Sequence, residues 1–284
     1  MTQPPRRSQI LSVALPASLT LDIPHLREKT ARLGFVSRAF ATFRVEEAII
    51  YRDRTGAEID REAKLIEKML TYIETPQYLR RLAFKMDPDL QYAGTLPPLR
   101  TPNHPNKQDP TRGQLRDGVV VQSGPSSMVE AGFRTLVHVK SKLPNSERVT
   151  IRLTNSSPEL EGEVVEPSGL TIYWGFRVAR GNVLLPEIVR SKKFDLTIST
   201  SRKGMDVREV TPELRGKWKS SRRPLIVFGS PNDGVPEILA RYGMNVSDAM
   251  DFNLNTIPDQ GVETVRTEEA LWGSLAVLNV LEEK

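Results

Sequence analysis

One feature constrains this chain more than any other: an alternation of strand and helix stops at Lys85 and resumes after Gly181-Asn182. Residues 10–15 alternate and end at Pro16, which predicts a strand. Asp22 as N-cap and Pro24 at the first helical position predict a helix to about Phe43. Residues 45–51 read as a second strand. After the turn Arg54-Thr55-Gly56, residues 58–74 read as a helix, with Ile59, Leu65, Ile66, Met69, Leu70 and Ile73 on one side. Thr75-Pro76 breaks it, and residues 77–84 add another helical turn. From Lys85 the helical period vanishes, and Pro88, Pro97, Pro98, Pro102, Pro105 and Pro110 punctuate the chain. Short β-like runs follow at 118–122, 134–140, 148–154, 161–166 and 170–178, which predicts a small closed barrel. Beyond residue 181 a helix at 183–189, strands at 194–199 and 224–228, a helix at 232–242, a strand at 250–254 and a helix at 267–281 restore the α/β pattern. The expected organisation is an α/β domain made of residues 1–84 and 179–284, with a β-barrel domain inserted as residues 85–178.

Composition removes whole classes of chemistry. The 284 residues include no cysteine and three histidines, His25, His104 and His138, none three or four apart. A disulfide scaffold, a Cys zinc or iron–sulfur site and a thiolate nucleophile are excluded, and no metal is expected. Arg6-Arg7 before an apolar run could be taken for a twin-arginine leader. The run is short, contains Pro16 and leads to Asp22, so it reads as the first strand of a cytoplasmic protein with no membrane association. The net charge of +5 is unevenly spread. Residues 190–223 hold 11 basic and 4 acidic residues, whereas residues 224–284 hold 3 and 10. Arg215, Lys217, Lys219, Arg222 and Arg223 fall close together around Trp218 with no acid between them. Such a segment suits a polyanion, RNA in particular; a solvated loop balanced by the acidic C-terminal part is the alternative.

Three strand ends carry small residues: Ser199-Thr200-Ser201-Arg202-Lys203-Gly204, Phe228-Gly229-Ser230-Pro231-Asn232-Asp233-Gly234, and Asn255-Thr256-Ile257-Pro258-Asp259-Gln260-Gly261. Ligands of open α/β sheets bind at such carboxyl ends. None of these is a dinucleotide fingerprint or a P-loop. Taken together and in this order, they resemble the SPOUT class of S-adenosylmethionine-dependent RNA methyltransferases, in the archaeal and eukaryotic branch with an inserted OB-like domain. Asp195–Ser201, Ile226–Pro231 and the third loop running into Val265-Arg266-Thr267-Glu268-Glu269-Ala270-Leu271 carry the likeness, as do Tyr173-Trp174-Gly175-Phe176 and the segment 97–105. The resemblance implies a C-terminal trefoil knot and S-adenosylmethionine bent among the loops. It places Thr200, Phe228, Gly229, Ile257 and Val265 at the cofactor, with Ser201, Ser230, Gly261 and Thr267 as further candidates. It also implies a homodimer whose partner chain completes the site, for which residues 271–281 offer an apolar face.

Methyl transfer from a sulfonium is a direct displacement that needs alignment and, for a weak acceptor, loss of a proton. Without a thiolate the covalent route to pyrimidine carbon 5 is closed, leaving a nitrogen or a ribose hydroxyl. Gly34-Phe35-Val36-Ser37-Arg38 resembles the first motif of SpoU-type members, whose arginine acts at the acceptor, although Leu33 stands where asparagine is common. Arg38 and Arg202 are therefore the catalytic candidates; a surface arginine and a phosphate clamp are the respective alternatives. Glu268 and Glu269 could serve as base or merely favour the helix dipole. Arg266 is a phosphate-binding candidate. His104 could meet RNA or close a turn, and His138 reads as packed. Tyr173, Trp174 and Phe176 could stack bases or fill the barrel. The expected function is methylation of RNA, ribosomal RNA first, with uridine N3 the expected acceptor. A non-catalytic RNA-binding or ribosome-assembly protein is the rival, and a protein methyltransferase a third reading.

Overall fold

The computed structural model describes residues 3–106 and 109–282, with the side chains of 180–182 left aside. It contains two compact units: one of residues 7–71, 92–97 and 176–284, the other of residues 1–6, 72–91 and 98–175.

The first unit is a six-stranded sheet of order β11-β9-β10-β1-β2-β8. Its strands are β1 (Ser12–Pro16), β2 (Glu47–Arg52), β8 (Arg177–Leu184), β9 (Leu196–Asp206), β10 (Pro224–Val227) and β11 (Phe252–Asn255), and every pairing is parallel. The helices are α1 (Leu26–Thr42), α2 (Ala57–Glu74), α4 (Leu185–Arg190), α5 (Val207–Ser220), α6 (Val235–Ala240), α7 (Val246–Ala249) and α8 (Thr267–Asn279). Strands β1 and β10 are buried along their length, as apolar runs in a covered parallel sheet should be. One core joins Ala14, Ile49 and Val227 of the sheet to Leu185, Ile188, Ile238 and Leu239 of α4 and α6.

The second unit is built on a closed barrel of β3 (Leu115–Gln122), β4 (Ser127–Glu130), β5 (Val137–Val139), β7 (Glu161–Val164) and β6 (Arg148–Leu153), preceded by the single turn α3 (Arg80–Ala83). Val120, Val129, Val137, Val139, Ile151 and Leu153 fill it. Gly118 faces the β4 backbone so closely that a Cβ would sit 2.3 Å from a Val129 methyl. Beside the barrel Arg148 bridges Glu74 and Asp117, each at 2.6 Å, and Asp117 also accepts from Trp174 Nε1 at 2.7 Å and Thr150 Oγ1 at 2.8 Å. Burial nevertheless pushes the Glu74 carboxyl above its ordinary range.

Several expectations need correction. Helix α1 starts at Leu26 behind His25, not at Asp22. Asp22 instead accepts from Arg32 Nη1 at 2.7 Å. The barrel has five strands, but β4 takes the place of the run at 170–178. That run ends in β8 of the parallel sheet, where Glu47–Arg177 opens the pairing with β2. Val183 and Leu184 continue β8, so α4 begins at Leu185. Helix α5 carries no clear helical period in sequence, since Pro212 and Gly216 interrupt its pattern, yet Val207, Leu214 and Trp218 form a buried stripe. Tyr173 and Phe176 are buried, which takes them out of base stacking, whereas Trp174 lines a cavity of the barrel unit. The leucines of 271–281 (Leu271, Leu275, Leu278 and Leu281) are buried within the chain itself, and Val280 is the exposed large apolar residue of this segment.

Candidate functional site

Parallel strands end together, and β9, β10 and β11 end around a cavity of about 350 Å³. How β9 and β11 pair creates its first wall. Ile198 and Ser199 pair with Phe252 and Asn253, then Met205 and Asp206 pair with Leu254 and Asn255. Residues 200–204 leave the ladder and bulge toward the cavity. Gly204 permits the return, since a Cβ there would lie 2.6 Å from the Asn253 carbonyl oxygen.

The second wall follows β10. The Phe228 N–H donates to the Ala14 carbonyl at 3.1 Å, and the buried Tyr51 hydroxyl donates to the Phe228 carbonyl at 2.7 Å. Burial, with Asp53 and Asp233 nearby, holds the Tyr51 phenol well above its usual range, so it stays a donor. Ser230 N–H donates to the Asp233 carbonyl at 2.8 Å, and Asp233 N–H to Ser230 Oγ at 2.9 Å. This fold-back leaves no room at Gly229, where a Cβ would lie 2.8 Å from the Asp233 carbonyl oxygen.

The third wall is tied to the other two. Asn255 Nδ2 donates to the Arg202 carbonyl at 3.2 Å while its Oδ1 accepts from Ile257 N–H at 3.1 Å. Arg202 Nη1 donates to the Glu263 carbonyl, and Gln260 Nε2 to the Val262 carbonyl at 2.8 Å. Thr267 Oγ1, at the start of α8, donates to the Gly229 carbonyl at 3.3 Å. The lining mixes apolar Phe228, Leu254, Ile257 and Val265 with hydroxyls, amides, Arg202, Lys203 and the carboxylates Asp233, Glu237 and Glu263.

Of the residues singled out in the sequence, Thr200, Ser201, Arg202, Phe228, Gly229, Ser230, Ile257, Val265 and Thr267 line this cavity. Gly261 does not line it; it is exposed, and a Cβ there would meet open space. Arg38 is half-buried on α1, outside the lining. Arg266 is exposed as the N-cap of α8, also outside it. Glu268 is buried and pairs with Arg32 Nε at 3.1 Å, which gives it a structural task rather than that of a base. Asn255 and Thr256 lay inside the third loop without being singled out, although Asn255 ties two walls together; Glu237, one turn into α6, gave no signal in sequence.

Arg215, Lys217 and Lys219 are exposed on α5. Lys217 pairs with Glu213 at 3.4 Å and lies 4.8 Å above the Phe252 ring. Trp218 is buried beneath them and not an aromatic platform. Arg222 is exposed, whereas Arg223 is half-buried and reaches Glu47 at 3.5 Å. In the barrel unit His104 is buried with Nε2 2.6 Å from the Glu74 carbonyl, while its backbone N–H closes a turn on the Thr101 carbonyl at 2.8 Å, and His138 is half-buried between the inward Val137 and Val139. Among the described residues no group of acids and histidines could hold a metal ion, and no helix is long and apolar enough to cross a membrane.

Comparison with known proteins gives this geometry a setting. The family described as putative RNA methyltransferase matches residues 10–278. An uncharacterised protein of Haloarcula marismortui is 33% identical over 95% of this chain and 99% of its own. The 28S rRNA (uridine-N(3))-methyltransferase of Mus musculus is 33% identical over 96% of this chain and 76% of its own, and that of Homo sapiens 32% identical over 96% and 78%. The match spans all three loops of the cavity and the barrel strands alike, and on it the chain belongs to the putative RNA methyltransferase family.

Proposed function

We propose that this protein is an S-adenosylmethionine-dependent methyltransferase of ribosomal RNA, acting at uridine N3, with the cavity at the ends of β9, β10 and β11 as its donor site. One observation carries the reading: three separate loops are stitched around a single cavity, and the second cannot tolerate a side chain at Gly229. The lining fits the donor chemically. Apolar Phe228, Leu254, Ile257 and Val265 suit a purine, backbone groups suit its ring nitrogens, and Glu237 and Glu263 suit a sulfonium and an ammonium, Asp233 being held by Arg241 at 2.6 Å. Once bound, S-adenosylmethionine supplies a methyl group already activated as a sulfonium.

The chain's own residues do the rest. The loops orient the donor, and Tyr51 fixes the Phe228 carbonyl from below. Arg202, in the cavity lining, would hold a phosphate or the developing anion of a deprotonated base. Arg38 lies on the outward side of α1 together with Phe35, which is 46% exposed and packs against Trp272 of α8 at 5.2 Å. With Val280, 70% exposed, these residues mark the face through which we propose that two chains pair. Arg38 would then serve the partner's cavity. The trefoil knot belongs to this reading, as does an inserted domain of residues 85–178 that helps to hold RNA.

Calorimetric titration with S-adenosylmethionine, followed by transfer of a labelled methyl group to ribosomal RNA, tests it. Binding near one per chain and label at uridine N3 are expected. A folded protein that binds RNA but neither binds nor turns over the donor would make the RNA-binding scaffold the better reading.

A further inference from the structure

The opposite end of the same sheet carries a second arrangement. Glu47 is the first residue of β2, Arg177 the first of β8, Arg223 immediately precedes β10, and Lys193 shortly precedes β9. Because these strands are parallel, all four lie at the edge away from the cavity. The Glu47 carboxylate is 2% exposed. Its Oε1 faces Arg177 Nη2 at 3.2 Å and Lys193 Nζ at 3.6 Å; its Oε2 faces Arg223 Nη2 at 3.5 Å and accepts from Ser12 Oγ at 3.1 Å.

Three cations on one carboxylate are more than burial of that carboxylate requires. None approaches to the 2.7–2.9 Å usual for charge-assisted bonds. Their side chains remain 70%, 52% and 30% exposed for Arg177, Lys193 and Arg223. The acid thus neutralises one charge and fixes two surplus charges at the surface. Lys192 and the exposed Arg222 adjoin them in sequence. Asp195, the nearby acid, is occupied by the backbone N–H groups of Arg222 and Arg223 at 2.7 and 2.8 Å. Glu46 and Asp251 are further acids at this edge, and Asp251 accepts from Thr197 N–H and Oγ1 at 2.8 and 2.9 Å. Helix α5 also ends here, bringing Lys217 and Lys219 in its last turn.

We infer that Arg177, Lys193 and Arg223, seated on Glu47, form a phosphate-binding edge that grips substrate RNA at a distance from the nucleotide being methylated. This rests on the RNA methyltransferase reading and assigns a separate hold on the same substrate. Cations gathered in this way are suited to it, because each phosphate contact releases a counterion.

The test is fluorescence anisotropy with a labelled 20-nucleotide oligouridylate over a range of salt, on wild type, the double variant Arg177→Gln/Lys193→Gln, and Glu47→Gln. The double variant should bind at least tenfold more weakly in low salt. Its log–log salt slope should flatten by about 1.4, at ~0.7 per phosphate contact on a single strand. S-adenosylmethionine affinity should not change. Glu47→Gln, which keeps the cations, should bind RNA no more weakly than wild type. An unchanged slope in a folded double variant overturns the inference while leaving the enzyme reading intact. Wild type that neither binds nor methylates RNA overturns both. If the double variant lowers the melting temperature but not RNA affinity, the cluster serves folding alone and the inference fails.

Discussion

At the scale of single residues, two buried groups set clear expectations. Tyr51→Phe leaves the Phe228 carbonyl without its donor inside the sheet, which should cost about 1–3 kcal/mol in urea denaturation. S-adenosylmethionine affinity should fall with it by calorimetry. His104 donates from Nε2 to the Glu74 carbonyl, and its buried Nδ1 has no hydrogen-bond partner. A proton on Nδ1 would be stranded, and burial depresses the imidazole pKa to about 4 from 6.5. Between those values the unfolded chain binds the extra proton. Stability should therefore fall as pH drops from about 6.5 to about 4, by up to about 3 kcal/mol, and level off below. Glu74, pushed up by burial, acts in the opposite sense: its contribution is lost as pH rises above 4.5. Replacing His104 by Asn should flatten the acid-side decline; an equally steep decline in that variant would assign it to other groups. Sequence alone left His104 open between RNA and a turn, since nothing in Asn103-His104-Pro105 says that Glu74 will lie above it.

At the scale of elements, the loops separate glycines that sequence could not. Gly229→Ala forces a methyl against the Asp233 carbonyl and the Gly234 backbone, so donor affinity should drop at least tenfold. Gly261→Ala meets open space and should leave calorimetric affinity within about twofold. In α5, Trp218→Ala should cost about 3–5 kcal/mol, since the ring is 1% exposed. Strands were legible where apolar runs are continuous, as in β1, β2 and β10, because covered parallel strands need little else. The excursion at 200–204 was legible as small residues but not as a bulge, since the return to β11 depends on pairing between segments fifty residues apart. Helix α5 was hidden because its apolar stripe is only Val207, Leu214 and Trp218 amid charges.

For the whole molecule, the barrel could be foreseen but its membership could not. Residues 170–178 have the composition of a strand and partly are one, but in the parallel sheet, and composition does not say which sheet will claim a strand. The proposed pairing of chains carries its own test. Phe35→Asp with Val280→Asp should convert the protein to a monomer by light scattering, and methyl transfer should be lost while donor binding persists. A dimer that survives both substitutions would place the interface elsewhere. Charge is likewise a property of the whole: the basic segment of residues 190–223 precedes an acidic one of residues 224–284, and the two meet where Arg208 pairs with Asp259 at 3.0 Å and Lys203 with Glu237 at 3.9 Å.

The jump in register between β9 and β11 has a consequence for timing. A loop attached to its neighbour strand at one end frays and must be ordered by whatever binds it. Residues 200–204 are attached at both ends, through Ser199–Asn253 and Met205–Leu254. Their disorder is surrendered when the sheet forms, long before a ligand arrives. This wall of the cavity is inherited from folding, so encounter with a ligand begins with one of the three walls already standing.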